Sequence, residues 1–391
     1  MADHIPFLYK KEDCTIFNKQ YSDSVAVRLS LDTLPKVNSL LPNGPLRWLD
    51  PAIDGIDRWK NPRGVNEDYK AFLRKFTSSS QMTDPTFQQN PQKTVVKNFT
   101  WSVLDECVKA FQPDWLSVPL LPLASDSYRN KIVKYLAEAT ASWKLDRQFR
   151  GKMILPVIIT HIKQIRLKAE RKKRIDLIED CYKISEATGL WVVDSSLADQ
   201  EGGHPLESVR FPKLIEFHQE LRERLPKDAI SIGGPYWGMN LILWARGFIR
   251  YLAINLGKSY QYHLPGGKLP KGNERLALPP LKRWAVANPT LREWLQEALK
   301  IIPKNDPAHT QFAEILQNFA HLTHNGREQV ANFYKQWFDK VAAVPESGRA
   351  LALFQDFSSA YALGKSLPDI PVKGPGRKAS HVAKQFMVNC L

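Results

Sequence analysis

Short apolar runs of strand length recur through the first 280 or so residues of the chain, and amphipathic helical stretches separate most of them. Eight runs read as strands: Val25–Leu31, Leu46–Leu49, Trp115–Leu123, Met153–Thr160, Leu190–Val193, Ala229–Ile232, Tyr251–Asn255 and Arg275–Leu278. Helices are expected over Asn66–Phe76, Phe99–Phe111, Ser127–Trp143, Leu167–Thr188, Phe211–Leu225 and Gly238–Arg246. A strand followed by a helix and then another strand forces parallel pairing, because a short hairpin cannot connect parallel neighbours. Eight such units fit a (β/α)8 barrel of the TIM type. The alternative is an open doubly wound sheet, but no GxGxxG follows a strand, which disfavours its dinucleotide-binding form.

After Pro280 the pattern changes to helices alone, over Thr290–Ile302, Thr310–His321, Glu328–Val341 and Gly348–Tyr361. The expected organisation is a barrel over residues 1–279 and a C-terminal helical extension over 280–391. Lys365–Lys384 carries five basic residues against Asp369, and reads as either a docking tail or a basic arm.

Charge is the strongest compositional signal. Fifty-five Lys and Arg against forty Asp and Glu give +15, a field that attracts polyanions. Nucleic acid, RNA or DNA, is the expected partner, ahead of an anionic membrane surface. Eleven basic residues against two acidic ones fall between Lys144 and Arg174. Lys163, Arg166, Lys168, Arg171, Lys172, Lys173 and Arg174 are the candidate nucleic-acid contacts. No apolar run approaches the ~20 residues that cross a bilayer, and no leader pattern opens the chain. Four cysteines without CxxC spacing argue against a cysteine zinc site and for a reducing, cytoplasmic setting. HExxH and GxSxG are absent, His321 and His324 lack a third ligand nearby, and no cofactor or metal is implied.

Barrel enzymes carry their chemistry at the C-terminal ends of the strands. Reading those ends gives Asp50 and Asp54, two carboxylates four residues apart; the alternative is turn and cap formation. Asp126 reads as a helix-entry cap. His161 follows the most apolar strand, and imidazole is the side-chain type suited to proton transfer near neutral pH. Asp194 ends a buried strand, where a carboxylate needs partners, and is the first choice for a catalytic residue, with Asp50 and His161 beside it. Gly233 and Gly234 would let backbone amides approach a ligand. Tyr236 and Trp237 would offer ring faces to a base, unless they pack on the tail. Asn255, Lys258, Tyr260 and His263 complete a polar, aromatic, basic loop next to them. These residues, with Asp54, form the expected substrate pocket.

Ile232-Gly233-Gly234-Pro235, the following Leu241–Gly247 and Arg250–Tyr262 resemble the late barrel of the tRNA-guanine transglycosylase superfamily. Leu46–Gly55 is similar to that family's earlier aspartate-bearing strand end, and the resemblance covers about sixty residues in all. It implies a barrel transferase acting on RNA bases, with Asp50 in base recognition or proton transfer. Asn255, Gly257 and Lys258 stand where the family carries its nucleophilic aspartate, and its cluster of three cysteines and a histidine is absent.

The expected function is therefore a nucleic-acid- or nucleotide-directed enzyme with base-directed, transglycosylase-like chemistry. One alternative is a non-catalytic nucleic-acid-binding or adaptor protein on a degenerate barrel, its helical extension docking a protein partner. The other is a small-molecule barrel enzyme for an anionic metabolite.

Overall fold

A computed structural model describes the chain apart from residues 1–2, 42–43, 57–66, 124–126, 196–209, 257–261, 263, 267–273 and 373–374. Eight parallel strands close a barrel: β1 (His4–Leu8), β2 (Ala26–Ser30), β3 (Leu46–Asp50), β4 (Trp115–Ser117), β5 (Lys152–Ile159), β6 (Gly189–Asp194), β7 (Ile230–Gly233) and β8 (Tyr251–Asn255). Each pairs with the next, and β8 returns to β1 through His4 beside Leu252 and Phe7 beside Asn255. The (β/α)8 architecture with a helical extension is the one the alternation predicts.

The strand inventory differs at both ends. His4–Leu8 opens the barrel, although its proline and few residues give little alternation. Arg275–Leu278 (β9) is not a barrel strand: it pairs antiparallel with β10 (Arg283–Val286). The extension thus begins ahead of Pro280 and includes two strands as well as helices. Gly189 is the first residue of β6. The left-handed position before that strand belongs to Glu186.

Both faces of the barrel strands are covered. On β2, Val27 and Leu29 are buried, and so are Arg28 and Ser30. Register puts Phe7 beside Arg28 and Arg28 beside Trp48, so Arg28 shares the lumen with these rings. Trp48, Trp191 and Phe7 meet edge to face at 5.4–5.7 Å between ring centres and fill the lumen. A barrel of this size is a packed core, not a pore.

The extension has its own apolar core, built from Leu276, Leu278, Leu291, Trp294, Leu295 and Phe312. The long helix Phe319–Ala342 joins it to the barrel. Gly326 of this helix passes so close to β9 that a Cβ would sit 2.3 Å from the Arg275 carbonyl oxygen. The Gln329 carboxamide exchanges two hydrogen bonds with the Ala277 backbone at 2.7 and 3.1 Å. The tail is docked: Phe386 of the His381–Met387 helix stacks on Phe211 at 5.6 Å and contacts Phe357 at 5.0 Å. Among the described residues, no helix is long and apolar enough to cross a membrane.

Candidate functional site

The barrel mouth is built from the ends of β2 and β3 and from a segment that follows β8. Arg28 donates through Nε to Asp50 Oδ2 at 2.9 Å, and its Nη2 bonds the same oxygen. Asp50 Oδ1 accepts the Ala52 amide at 2.9 Å, so both carboxylate oxygens are engaged. The guanidinium lies 4.4 Å from the centre of the Phe7 ring and 4.9 Å from that of Trp191, with Tyr262 5.6 Å away. These ring faces replace some of the lost hydration. Burial works against the Arg28 cation, but Asp50, Tyr9 and Tyr262 outweigh it and hold the group firmly protonated.

Asp54 stands apart from that pair. Its Oδ2 is bonded to the Tyr262 hydroxyl, and the residue is 4% exposed. Burial, and then the charge of Asp50, push its carboxyl up to about 7, with the Tyr262 hydrogen bond pulling the other way. The mouth thus holds one carboxylate fixed by an arginine and a second that can carry a proton near neutrality. That is the division of labour an acid–base site needs. Asp32, bonded to the Ser30 hydroxyl at the end of β2, is also raised by burial.

Tyr262 and residues 264–266 pack against this cluster. A Cβ on Gly55 would lie 2.2 Å from the Pro265 carbonyl oxygen, and one on Gly266 would lie 2.3 Å from the Tyr69 ring. Gly266 also takes a positive φ of 77°. The Tyr69 hydroxyl in turn donates to the Ala52 carbonyl at 2.6 Å. The space left beside Asp50, Asp54, Pro156, Ile158 and Trp191 is about 10 Å3, the room of a single water.

The other expected site residues lie elsewhere. Asp194 ends β6 on the opposite side of the strand from Trp191 and Val193, and so faces the helices. Both of its oxygens accept from Arg210, at 3.1 Å each, at the start of the Arg210–Arg224 helix. Its backbone amide donates to the Tyr236 hydroxyl at 2.9 Å. Asp194 thus has partners of the kind a buried carboxylate needs, and it lies on the other side of its strand from the lumen that Trp191 and Asp50 share. His161 is exposed, and its Nδ1 accepts the Lys163 amide at 3.1 Å as the chain turns into the next helix. Its ring is tied to that turn.

Tyr236 and Trp237 are 2% and 4% exposed, so their faces cannot receive a base. Trp237 packs on Phe333 and Tyr334 of the long helix and donates to the Lys282 carbonyl at 3.1 Å. Trp237 thus seals the extension to the barrel, whereas Tyr236 packs within the barrel, beside His218 and the Asp194 amide. Gly233 and Gly234 serve packing too. A Cβ on Gly233 would meet Ile249 at 2.7 Å, and the Gly234 carbonyl accepts the Trp191 indole N–H at 2.7 Å. Asn255 is buried at the end of β8, level with Phe7. Asp126, Lys258, Tyr260 and His263 lie outside the described residues.

The basic segment divides in two. Lys163, Arg166, Lys168, Lys172 and Lys173 are exposed. All strands run the same way, so the chain leaving β5 at Ile159 emerges at the end that carries Asp50. The Lys163–Arg166 turn and the first turns of the Lys168–Ile184 helix rim that end. Arg171 and Arg174 are buried instead. Arg171 binds Glu220 at 2.6 Å and Glu216 at 2.8 Å, holding two neighbouring helices together. Arg174 faces Glu170 at 3.7 Å. Neither is available to a phosphate.

Among the described residues, no group of three or more His, Cys, Asp or Glu could hold a metal ion. His321 and His324 lie on the long helix. Sequence reasoning missed Arg28, Tyr262, Trp191 and Tyr9. Arg28 left a signal, a charged residue in the middle of a strand, but alternation reads it as solvent-facing. No protein-family model and no curated protein matches the chain.

Proposed function

We propose that the chain is an enzyme directed at nucleic acid or nucleotides, with base-directed, transglycosylase-like chemistry at the barrel mouth. The observation that carries this reading is the pairing of Asp54, a buried carboxyl raised to about 7, with Asp50, held by Arg28, beneath a rim of exposed cations. Asp54 would give or take the proton at the reacting base or sugar. Asp50 would stay charged and orient the substrate, as the resemblance to the transglycosylase superfamily implies for it. Lys163, Arg166, Lys168, Lys172 and Lys173 would hold phosphates outside the mouth. With Asn255 at the position of the family's nucleophile, covalent catalysis by an aspartate there is not part of the reading. Four unpaired, buried thiols support a reducing, cytoplasmic setting.

A second reading has its own support. The mouth is filled to within one water, and its ion pair is saturated, as a degenerate barrel that only binds would be.

The test measures affinity for tRNA, single-stranded DNA and duplex DNA across a salt series, with nucleoside analysis of the bound polymer after incubation. Duplex contacts should each add a slope of about −0.9 in log affinity against log salt. Asp54→Asn should abolish any nucleoside change and leave binding intact. Binding without nucleoside change in the wild type would select the binding protein. A flat salt dependence would remove polynucleotides and point to an anionic metabolite.

A further inference from the structure

Another cleft lies away from the barrel mouth. It is a groove of about 710 Å3 in the extension, between the Pro307–Gln317 helix, the long helix and the Pro279–Leu281 turn. Small-molecule sites fall in this size range. Beneath it lies the stacked pair Phe333 and Trp337, 5.7 Å apart, inclined by 24° and both buried. Carboxamides line the groove, among them Gln311, Asn318, Asn332 and Gln336.

Lys282 reaches over that pair. Its Nζ lies 5.5 Å from the centre of the Phe333 ring and 5.3 Å from that of Trp337. Asp356 is the acid nearest in effect, but its two oxygens are taken by Lys340 at 2.6 Å and the Trp337 indole at 3.1 Å. Glu314, the acid in the lining, makes no ion pair with Lys282. Among the described residues the Lys282 ammonium therefore has ring faces beneath it and no anion. Burial lowers it from the usual lysine range; Asp356 opposes that and Lys340 adds to it. The backbone at Lys282 is left-handed, with φ 53° and ψ 34°. Glycine or asparagine takes this conformation more cheaply. A long cationic side chain is thus held at a strained position, largely desolvated and with no acid bonded to it among the described residues.

We infer that this groove is a second binding site, taking a small organic anion whose acid group pairs with Lys282 and whose body lies in the groove among the carboxamides. The carboxamides would satisfy polar groups of the ligand, donating through N–H and accepting through C=O. Phosphate and carboxylate share the chemistry that Lys282 offers. Lys340 is already committed to Asp356, so one acid group is the better match. The site is independent of the barrel mouth.

The experiment is calorimetric titration of the full chain with benzoate, phenyl phosphate and neutral benzamide, repeated on Lys282→Gln and Asp54→Asn. At least one of the two anions should bind the wild type in the millimolar range or tighter, with benzamide markedly weaker. Lys282→Gln should weaken that anion about tenfold or more. Asp54→Asn should bind it as the wild type does. Preference for one anion identifies the acid group. Failure of both anions at tens of millimolar, or equal binding by Lys282→Gln, overturns the proposal. Circular dichroism of Lys282→Gln reports whether the extension is intact, so that weaker binding is read only from a folded variant.

Discussion

The barrel mouth and the groove of the extension manage buried charge in opposite ways. In the mouth, the charge of Arg28 is matched by Asp50, and each Asp50 oxygen has a donor. The space left over is about 10 Å3. In the groove, Lys282 lies over two rings with no acid paired to it among the described residues, beside about 710 Å3 of open volume. A saturated pair fixes geometry, which suits a site that must hold a proton at a defined atom. An unmatched cation leaves attraction to spare, which suits capture of a ligand. On the functions proposed above, these two tasks fall to different parts of the molecule.

The sharpest way to break the comparison is to remove the arginine. Arg28→Met leaves Asp50 buried without its cation, and breaking a buried pair in this way costs about 3–5 kcal/mol. Urea unfolding should show that loss, and Arg28→Met combined with Asp50→Leu should recover much of it. A loss near zero for the single variant would mean that Asp50 finds water or another donor, so that the mouth is not saturated.

The next test uses pH. Asp54 carries the ordinary value of 3.8 when unfolded and about 7 when folded. Below pH 4 both states hold the proton, and the folded state is at its best. As pH rises toward 7 the unfolded state releases its proton first, so stability falls, by at most about 4 kcal/mol, and then levels off. Asp54→Asn removes that decline, and its stability measured from pH 4 to 8 should exceed that of the wild type most at the alkaline end. Parallel curves for the two proteins would mean that Asp54 is ionised throughout, which would end its candidacy as the acid.

How far sequence carried this picture depends on which face of a strand is in question. The alternation of strands and helices announced the barrel, and Asp50 and Asp54 were legible because they follow a strand end. Arg28 was not, because alternation in Val25–Leu31 suggests a wet face and a dry face. In a closed barrel both faces are dry, and the polar one lines the lumen. Asp194 misled for the complementary reason: it ends a strand as Asp50 does, but one step of register turns it outward to Arg210. Tyr262 reaches Asp54 across more than two hundred residues, a pairing that local pattern does not encode. The aromatics at 236 and 237 signalled burial, not exposure, since Trp237 meets a helix about a hundred residues later in the chain.

Closure of the mouth gives a smaller effect. Gly55→Ala would drive a methyl group against the Pro265 carbonyl, now 2.2 Å from where the Cβ would lie. Overpacking of this kind costs about 1–3 kcal/mol. It should also shift the segment that carries Tyr262 and loosen its bond to Asp54. The thermal midpoint should fall, and the decline in stability with pH should change in the same variant. A lower midpoint with an unchanged pH profile would separate the packing of this segment from the ionisation of Asp54.

The smallest stability change is expected where the functional change is largest in the extension. Lys282→Gln removes an ammonium that is mostly buried and unpaired, so the fold loses a desolvation cost along with the favourable contact to the rings. The two nearly cancel, and stability at pH 7 should move by less than about 1 kcal/mol. The sign can be read from pH. The Lys282 value is lowered on folding, so in the wild type stability recovers as pH rises from the folded value toward that of free lysine. The glutamine variant should lack that rise. A large loss in Lys282→Gln would instead show that the lysine is matched within the fold, and the contrast between the two regions would collapse to a difference in volume alone.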